Sequence, residues 1–127
     1  MSDIHAVVID DDVYSVEVLS RLLTSHGVSC TEISDARNTE RVIRELSDVD
    51  VVFVDLEMPG LNGYEIFDLL KDMLAPEIPI VACTVHTNEF DTVQDVGFHS
   101  FIAKPIDSQR FPAQLGQILN DEHVWEM

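Results

Sequence analysis

The sequence predicts an α/β protein: a parallel β-sheet with helices on both faces, built from five successive strand–helix units. Short apolar runs alternate with longer stretches in which apolar residues recur at helical spacing. The connections between them are about two to six residues long, as such units prefer. At 127 residues the chain has the size of one domain, so all five units are assigned to a single sheet.

Residues 6–9 (Ala-Val-Val-Ile) form an apolar run that stops at three aspartates and reads as a buried strand. Val16, Leu19, Leu22 and Leu23 predict a helix over 13–26, with Gly27 as its stop. Val28–Ile33 alternates weakly and reads as a second strand. Asp35 is placed to cap a helix over 37–46 whose inner face is Val42, Ile43 and Leu46. Val51–Val54 is apolar on both faces, as a central parallel strand is. A Pro-Gly-Leu-Asn-Gly turn at 59–63 leads to a helix over 64–73 that turns Ile66, Phe67, Leu69 and Leu70 inward. Pro76 and Pro79 bracket a loop before the strand at 80–83. A shorter, weaker helix is expected over 88–96, stopped at Gly97, then a last strand over 98–103. Asp107 is expected to cap a final helix holding Phe111, Leu115, Ile118 and Leu119. With no repeat, low-complexity tract or linker, residues 1–127 read as one domain, with a core over about 4–120 and a short acidic tail. Trp125 falls in that tail, so its fluorescence is expected to report poorly on metal binding.

Charge narrows the function. Asp and Glu number 24 against 7 Lys and Arg, a net charge of −17, which repels phosphate backbones and argues against direct nucleic-acid binding. No stretch approaches the ~20 apolar residues of a membrane span, and residues 1–5 lack a basic signal-peptide start. Cys30 and Cys83 lie in apolar runs and read as reduced, buried thiols. The expectation is a cytoplasmic protein without membrane insertion. The acidic excess suits simple solubility as well as a cation site, and composition does not choose.

In open α/β sheets, ligands bind beyond the carboxyl ends of the strands. Here the first strand delivers Asp10, Asp11 and Asp12, the third Asp55, the fourth Thr84 and the fifth Lys104. Converging carboxylates repel by roughly 4 kcal/mol per pair at 4 Å with an effective dielectric constant of about 20. A hard divalent cation such as Mg²⁺ offsets that cost. A carboxylate beside such a cation is a nucleophile for a phosphoryl donor, with Lys104 neutralising phosphate charge and Thr84 donating a hydroxyl. Each residue has a plainer reading. The aspartates at 10–12 could cap a helix, Asp55 could open a turn, Thr84 could have no task, and Lys104 could be solvated. The conjunction at four strand ends outweighs these, and Lys104 is one of only two lysines.

Val-Val-Ile-Asp-Asp-Asp, then Val-Asp-Leu-Glu-Met-Pro-Gly-Leu-Asn-Gly, then Thr84, then Ala-Lys-Pro resembles the response-regulator receiver family, over about residues 4–119. The resemblance implies a doubly wound, flavodoxin-like (βα)5 fold with strand order 2-1-3-4-5. It implies Asp55 as phosphoacceptor, Asp11 as a direct Mg²⁺ ligand, Asp10 acting largely through water, and the Glu57 carbonyl as a further ligand. Thr84 and Phe101 resemble the family's switch pair, Lys104 its phosphate-binding lysine, and Pro105 the proline after it, often preceded by a cis bond. Val85 departs from the family pattern, where a small residue is usual, and Glu57 and His86 stand at variable positions that flank the site and tune phosphoryl lifetime. Phe101 stands for the commoner Tyr, so its switch lacks a hydroxyl.

The implied partners are a histidine kinase or a histidine phosphotransfer protein, and a downstream protein. A homodimer on phosphorylation is left open. The implied chemistry is limited to taking a phosphoryl group and losing it, so the chain is not expected to be an enzyme. Two competing readings are an unphosphorylated docking module and an aspartyl-phosphate phosphohydrolase. The intact acids and Lys104 disfavour the first. Glu57, in place of the second Asp that such hydrolases carry, disfavours the other.

Overall fold

The computed structural model describes residues 3–58 and 62–126. One parallel sheet runs in the order β2-β1-β3-β4-β5-β6. Its strands are β1 (Ile4–Ile9), β2 (Val28–Ile33), β3 (Val51–Val54), β4 (Ile80–Thr84), β5 (Ser100–Ala103) and β6 (Trp125–Glu126). The helices are α1 (Val13–Ser25), α2 (Thr39–Glu45), α3 (Gly63–Met73), α4 (Phe90–Val96) and α5 (Phe111–Leu119).

The apolar strands are explained by a core on each face of the sheet. Val7 and Ile9 of β1, with Val52 and Val54 of β3, meet Ile43, Ile66, Phe67, Leu70 and Val93 of α2, α3 and α4. Their neighbours Ala6, Val8, Val51 and Phe53 meet Val16, Leu19, Leu23, Phe111, Leu115 and Ile118 of α1 and α5. Alternate residues of a strand point to opposite faces, so strands covered on both sides must be apolar throughout. Cys83 is buried, Cys30 is half-buried, and both thiols are free.

Several local expectations need correction. Asp35 accepts from the Arg37 amide and caps a 3₁₀ turn, Ala36–Asn38, so α2 starts at Thr39 rather than 37. The expected helix over 88–96 is likewise split into a 3₁₀ turn, Thr87–Glu89, and α4. Asp107 caps a preliminary turn through the Gln109 amide, and α5 proper begins at Phe111. Phe98 and His99 lead into β5 without joining it as a strand. Leu69 is half-buried, while Ile66, Phe67 and Leu70 carry the α3 contact.

The largest correction lies at the carboxyl end. Residues 121–126 are not a tail outside the fold: Trp125 pairs with Phe101 and Glu126 with Ile102 as a sixth parallel strand. Val124 is 4% exposed among Phe111 and Ile118, so the core extends beyond residue 120. The expected turn at 59–63 falls largely on residues 59–61, outside the described residues. Among the described residues, no helix is long and apolar enough to cross a membrane.

Candidate functional site

The site forms where the backbone ladder runs past the strand ends. Asp10 N donates to the Ile33 carbonyl (3.0 Å) and Asp55 N to the Ile9 carbonyl (2.9 Å), fixing both backbones beyond β1 and β3. Lys104 N donates to the Thr84 carbonyl (2.9 Å), bringing the ends of β4 and β5 together. The peptide bond between Lys104 and Pro105 is cis.

The three predicted acids do converge. Asp10, Asp11 and Asp55 each bring a carboxylate oxygen within 4.8 Å of the others, with Asp10 and Asp55 buried and Asp11 exposed. The third aspartate of the run goes elsewhere. Asp12 accepts from the Tyr14 amide (3.1 Å) and the Ser15 hydroxyl (3.0 Å) and caps α1. The Ser15 hydroxyl bond is the main reason that its carboxyl is held below the usual range. One Asp run therefore serves two purposes.

Lys104 reaches into the cluster, with Nζ at 2.5 Å from Asp10 Oδ2 and 3.6 Å from Asp55 Oδ2. The acids thus already hold one counter-charge, a term that adding up carboxylate repulsions leaves out. Burial pushes the Asp55 carboxyl up to about 6; Lys104 opposes this and the Asp10 charge adds to it. Burial works against the charged form of Lys104, but its contacts with Asp10 and Asp55 outweigh this and raise its pKa. Burial also pushes the Cys83 thiol up to about 12, so Cys83 remains an inert core thiol.

Thr84 is fully buried, and its Oγ1 accepts from the His86 amide (3.1 Å). Glu57 N donates to Asp55 Oδ1 (3.2 Å), so the Glu57 backbone lies against the acid. The Glu57 and His86 side chains meet at 3.9 Å, linking the loops after β3 and β4. Val85, 61% exposed, stands at the rim between Thr84 and His86. Phe101 is fully buried on β5, opposite Ala82 of β4 and Trp125 of β6.

Two features escaped the sequence reading. Tyr64 of α3 donates its hydroxyl to Glu89, tying the segment after Thr84 to α3; a contact 25 residues apart leaves no local pattern. Burial first, then this bond, raises the Tyr64 pKa. Phe90 meets both Phe101 (centroids 5.4 Å apart) and Trp125 (6.0 Å), for which the apolar pair Val124-Trp125 was the only sequence signal.

The profile of the family described as "Response regulator receiver domain" matches residues 6–116. The DNA-binding response regulator MtrA of Mycobacterium tuberculosis is 31% identical over 125 residues, covering 95% of this chain and 54% of that protein. The hybrid signal transduction histidine kinase C of Dictyostelium discoideum is 30% identical over 114 residues, 81% of this chain and 9% of the kinase. The chain therefore spans about half the length of the curated response regulators it matches, and far less of the kinase. Among solved structures, the receiver domain of NtrX from Brucella abortus superposes with a TM-score of 0.81 at 25% identity, covering 91% of this chain and 98% of that one. The chemotaxis protein CheY4 of Vibrio cholerae gives 0.82 at 19% identity, covering 92% and 99%, and speaks for the fold alone. The chain belongs to the response regulator receiver domain family.

Proposed function

We propose that this receiver domain is a phosphorylation-dependent signalling switch in the cytoplasm. It takes a phosphoryl group on Asp55 from a histidine kinase or a histidine phosphotransfer protein and passes the signal to a downstream protein. The observation that carries this reading is the buried Asp55 carboxylate, clustered with Asp10 and Asp11 and faced by the Lys104 ammonium.

The donor set fits Mg²⁺. Two buried carboxylates and one exposed one lie within reach of a single ion, and all are hard oxygen ligands. Asp11, Asp55 and the Glu57 carbonyl would hold the ion, with Asp10 acting largely through water. When bound, it would supply positive charge beside the transferring phosphoryl oxygens.

The remaining chemistry belongs to the chain's own residues. A carboxylate oxygen of Asp55 attacks phosphorus while the bond from phosphorus to the donor imidazole nitrogen breaks, and the donor histidine keeps that electron pair. Lys104, released from Asp10 by a short shift, neutralises the anionic product. The Thr84 hydroxyl then donates to a phosphoryl oxygen, and Phe101 repacks with it. Glu57, Val85 and His86 border the approach of water and set the lifetime. Apart from accepting and losing this group, the domain is not an enzyme.

Intact-mass analysis with Mg²⁺ and acetyl phosphate tests the reading. The native chain should gain one acid-labile phosphoryl group and Asp55→Asn should gain none. A phosphate that maps to Ser or Thr with Asp55 unmodified would refute it.

A further inference from the structure

The sixth strand is the part of the fold that phosphoryl chemistry leaves unused. Although only two residues long, it is tied to both layers of the core. Val124 is buried among Phe111 and Ile118, and Trp125 packs on the layer that contains Phe101 and Phe90. The Phe101 amide donates to the Val124 carbonyl (2.7 Å), and the Val124 amide to Ser100 Oγ (2.9 Å). Arg110 pairs with Glu126, and the His123 ring stacks on Trp125 at an interplanar angle of 14°. A two-residue edge ladder is marginal by its backbone bonds alone, so these side-chain contacts must hold it.

Those contacts also hold α4. The helix has seven residues, no side-chain cap and one buried residue, Val93. Its first residue, Phe90, is half-buried and sits edge-on to Phe101 (71°) and to Trp125 (74°). Trp125 is thus one of two aromatic supports for the start of α4.

We propose that residues 121–126 form a strap that docks as β6 and pins α4, so that release of the strap and displacement of α4 are one coupled event. Residues 85–89 connect Thr84 directly to Phe90. A rearrangement of that segment draws Phe90 away from Trp125, and the coupling is reciprocal: a loosened strap eases the rearrangement. The connection to Asp55 rests on the phosphorylation reading above, whereas the pinning of α4 does not.

The first arm of the test uses the unphosphorylated chain, residues 1–127, and amide exchange. In Trp125→Ala, the Phe101 amide and the α4 amides should exchange at least tenfold faster, with β1 and α1 unchanged. Arg110→Gln, which spares the core, should give a smaller rise at the same amides. Native rates in α4 of Trp125→Ala, or an acceleration spread equally over β1, overturn the strap. The second arm uses Trp125, the only tryptophan in the chain, as the reporter. Acrylamide quenching in Mg²⁺ should rise at least twofold when beryllium fluoride is added. Unchanged quenching in a protein that accepts acetyl phosphate on Asp55 overturns the coupling. If Asp55 does not react at all, the phosphorylation reading falls, while the exchange arm still decides the strap.

Discussion

Helix α1 runs for 13 residues and opens on the Asp12 side chain, whereas α4 runs for seven, has no side-chain cap and buries only Val93. The same contrast holds for α3, which opens on a capping box of Asn62 and Glu65 and buries Ile66, Phe67 and Leu70. What fixes α4 comes from outside it: Tyr64 reaching Glu89, and Phe90 set between Phe101 and Trp125. A helix held by its own caps stays in place when a neighbour moves, while one held by remote partners follows them. The acids therefore lie beside the capped helices α1 and α3, and Thr84 opens onto the segment that leads into α4.

The largest effect should come from crowding the capped start of α3. A Cβ at Gly63 would lie 2.7 Å from Leu56 Cα and 2.8 Å from the Asp55 carbonyl, and backbone there cannot yield cheaply. Gly63→Ala should cost about 3 kcal/mol or more in urea unfolding and displace Asp55. Gly97→Ala, at the end of α4, meets only Phe67 at 3.9 Å and suffers mainly from its φ of +109°. It should cost about 1 to 2 kcal/mol. A reversed order would show that backbone crowding at Gly63 is the weaker constraint.

Next in size is the response to Mg²⁺. At tenfold excess over Kd the ion should stabilise the native chain by about 1.4 kcal/mol in thermal melts. Asp11→Ala should abolish that gain with little change to the metal-free protein, because Lys104 already offsets part of the acid repulsion. A full Mg²⁺ response in that variant would remove Asp11 from the ligand set.

Tyr64→Phe cuts the tie between α3 and the segment before α4. Losing the hydroxyl bond to Glu89 should destabilise the chain by about 1 kcal/mol and speed amide exchange at the start of α4, leaving α1 alone. Equal acceleration in α1 would show that this bond is not a local tie.

The smallest effect is electrostatic. Burial holds the His99 imidazole below its ordinary value of 6.5; His123 adds to this and the Asp121 bond opposes it. The unfolded chain therefore takes up the proton first as pH falls. Stability from this source should be complete above about pH 6.5 and decline below it. His99→Gln should flatten that part of the profile, and an unchanged slope would assign it to other groups.

The sequence made the strand ends legible because four of its five expected strands end at a chemical residue, and parallel topology gathers those ends on one edge. Asp10, Asp11, Asp55, Thr84 and Lys104 were readable for that reason. Helix starts were less so: Asp35 and Asp107 are good caps, but each caps a preliminary turn rather than the helix after it. The sixth strand was invisible because two residues carry no periodicity and its partner, β5, lies more than twenty residues back. The pairing of Lys104 with Asp10 spans 94 residues, and only the folded sheet brings the two together.

Amide exchange across the whole chain, before and after acetyl phosphate has loaded Asp55, separates movement around α4 from a change spread over the fold. Phosphoryl loading should alter exchange in residues 84–103 and at the β5–β6 pairing, with β1 and α1 unchanged. Changes confined to α1 and α2 would contradict it.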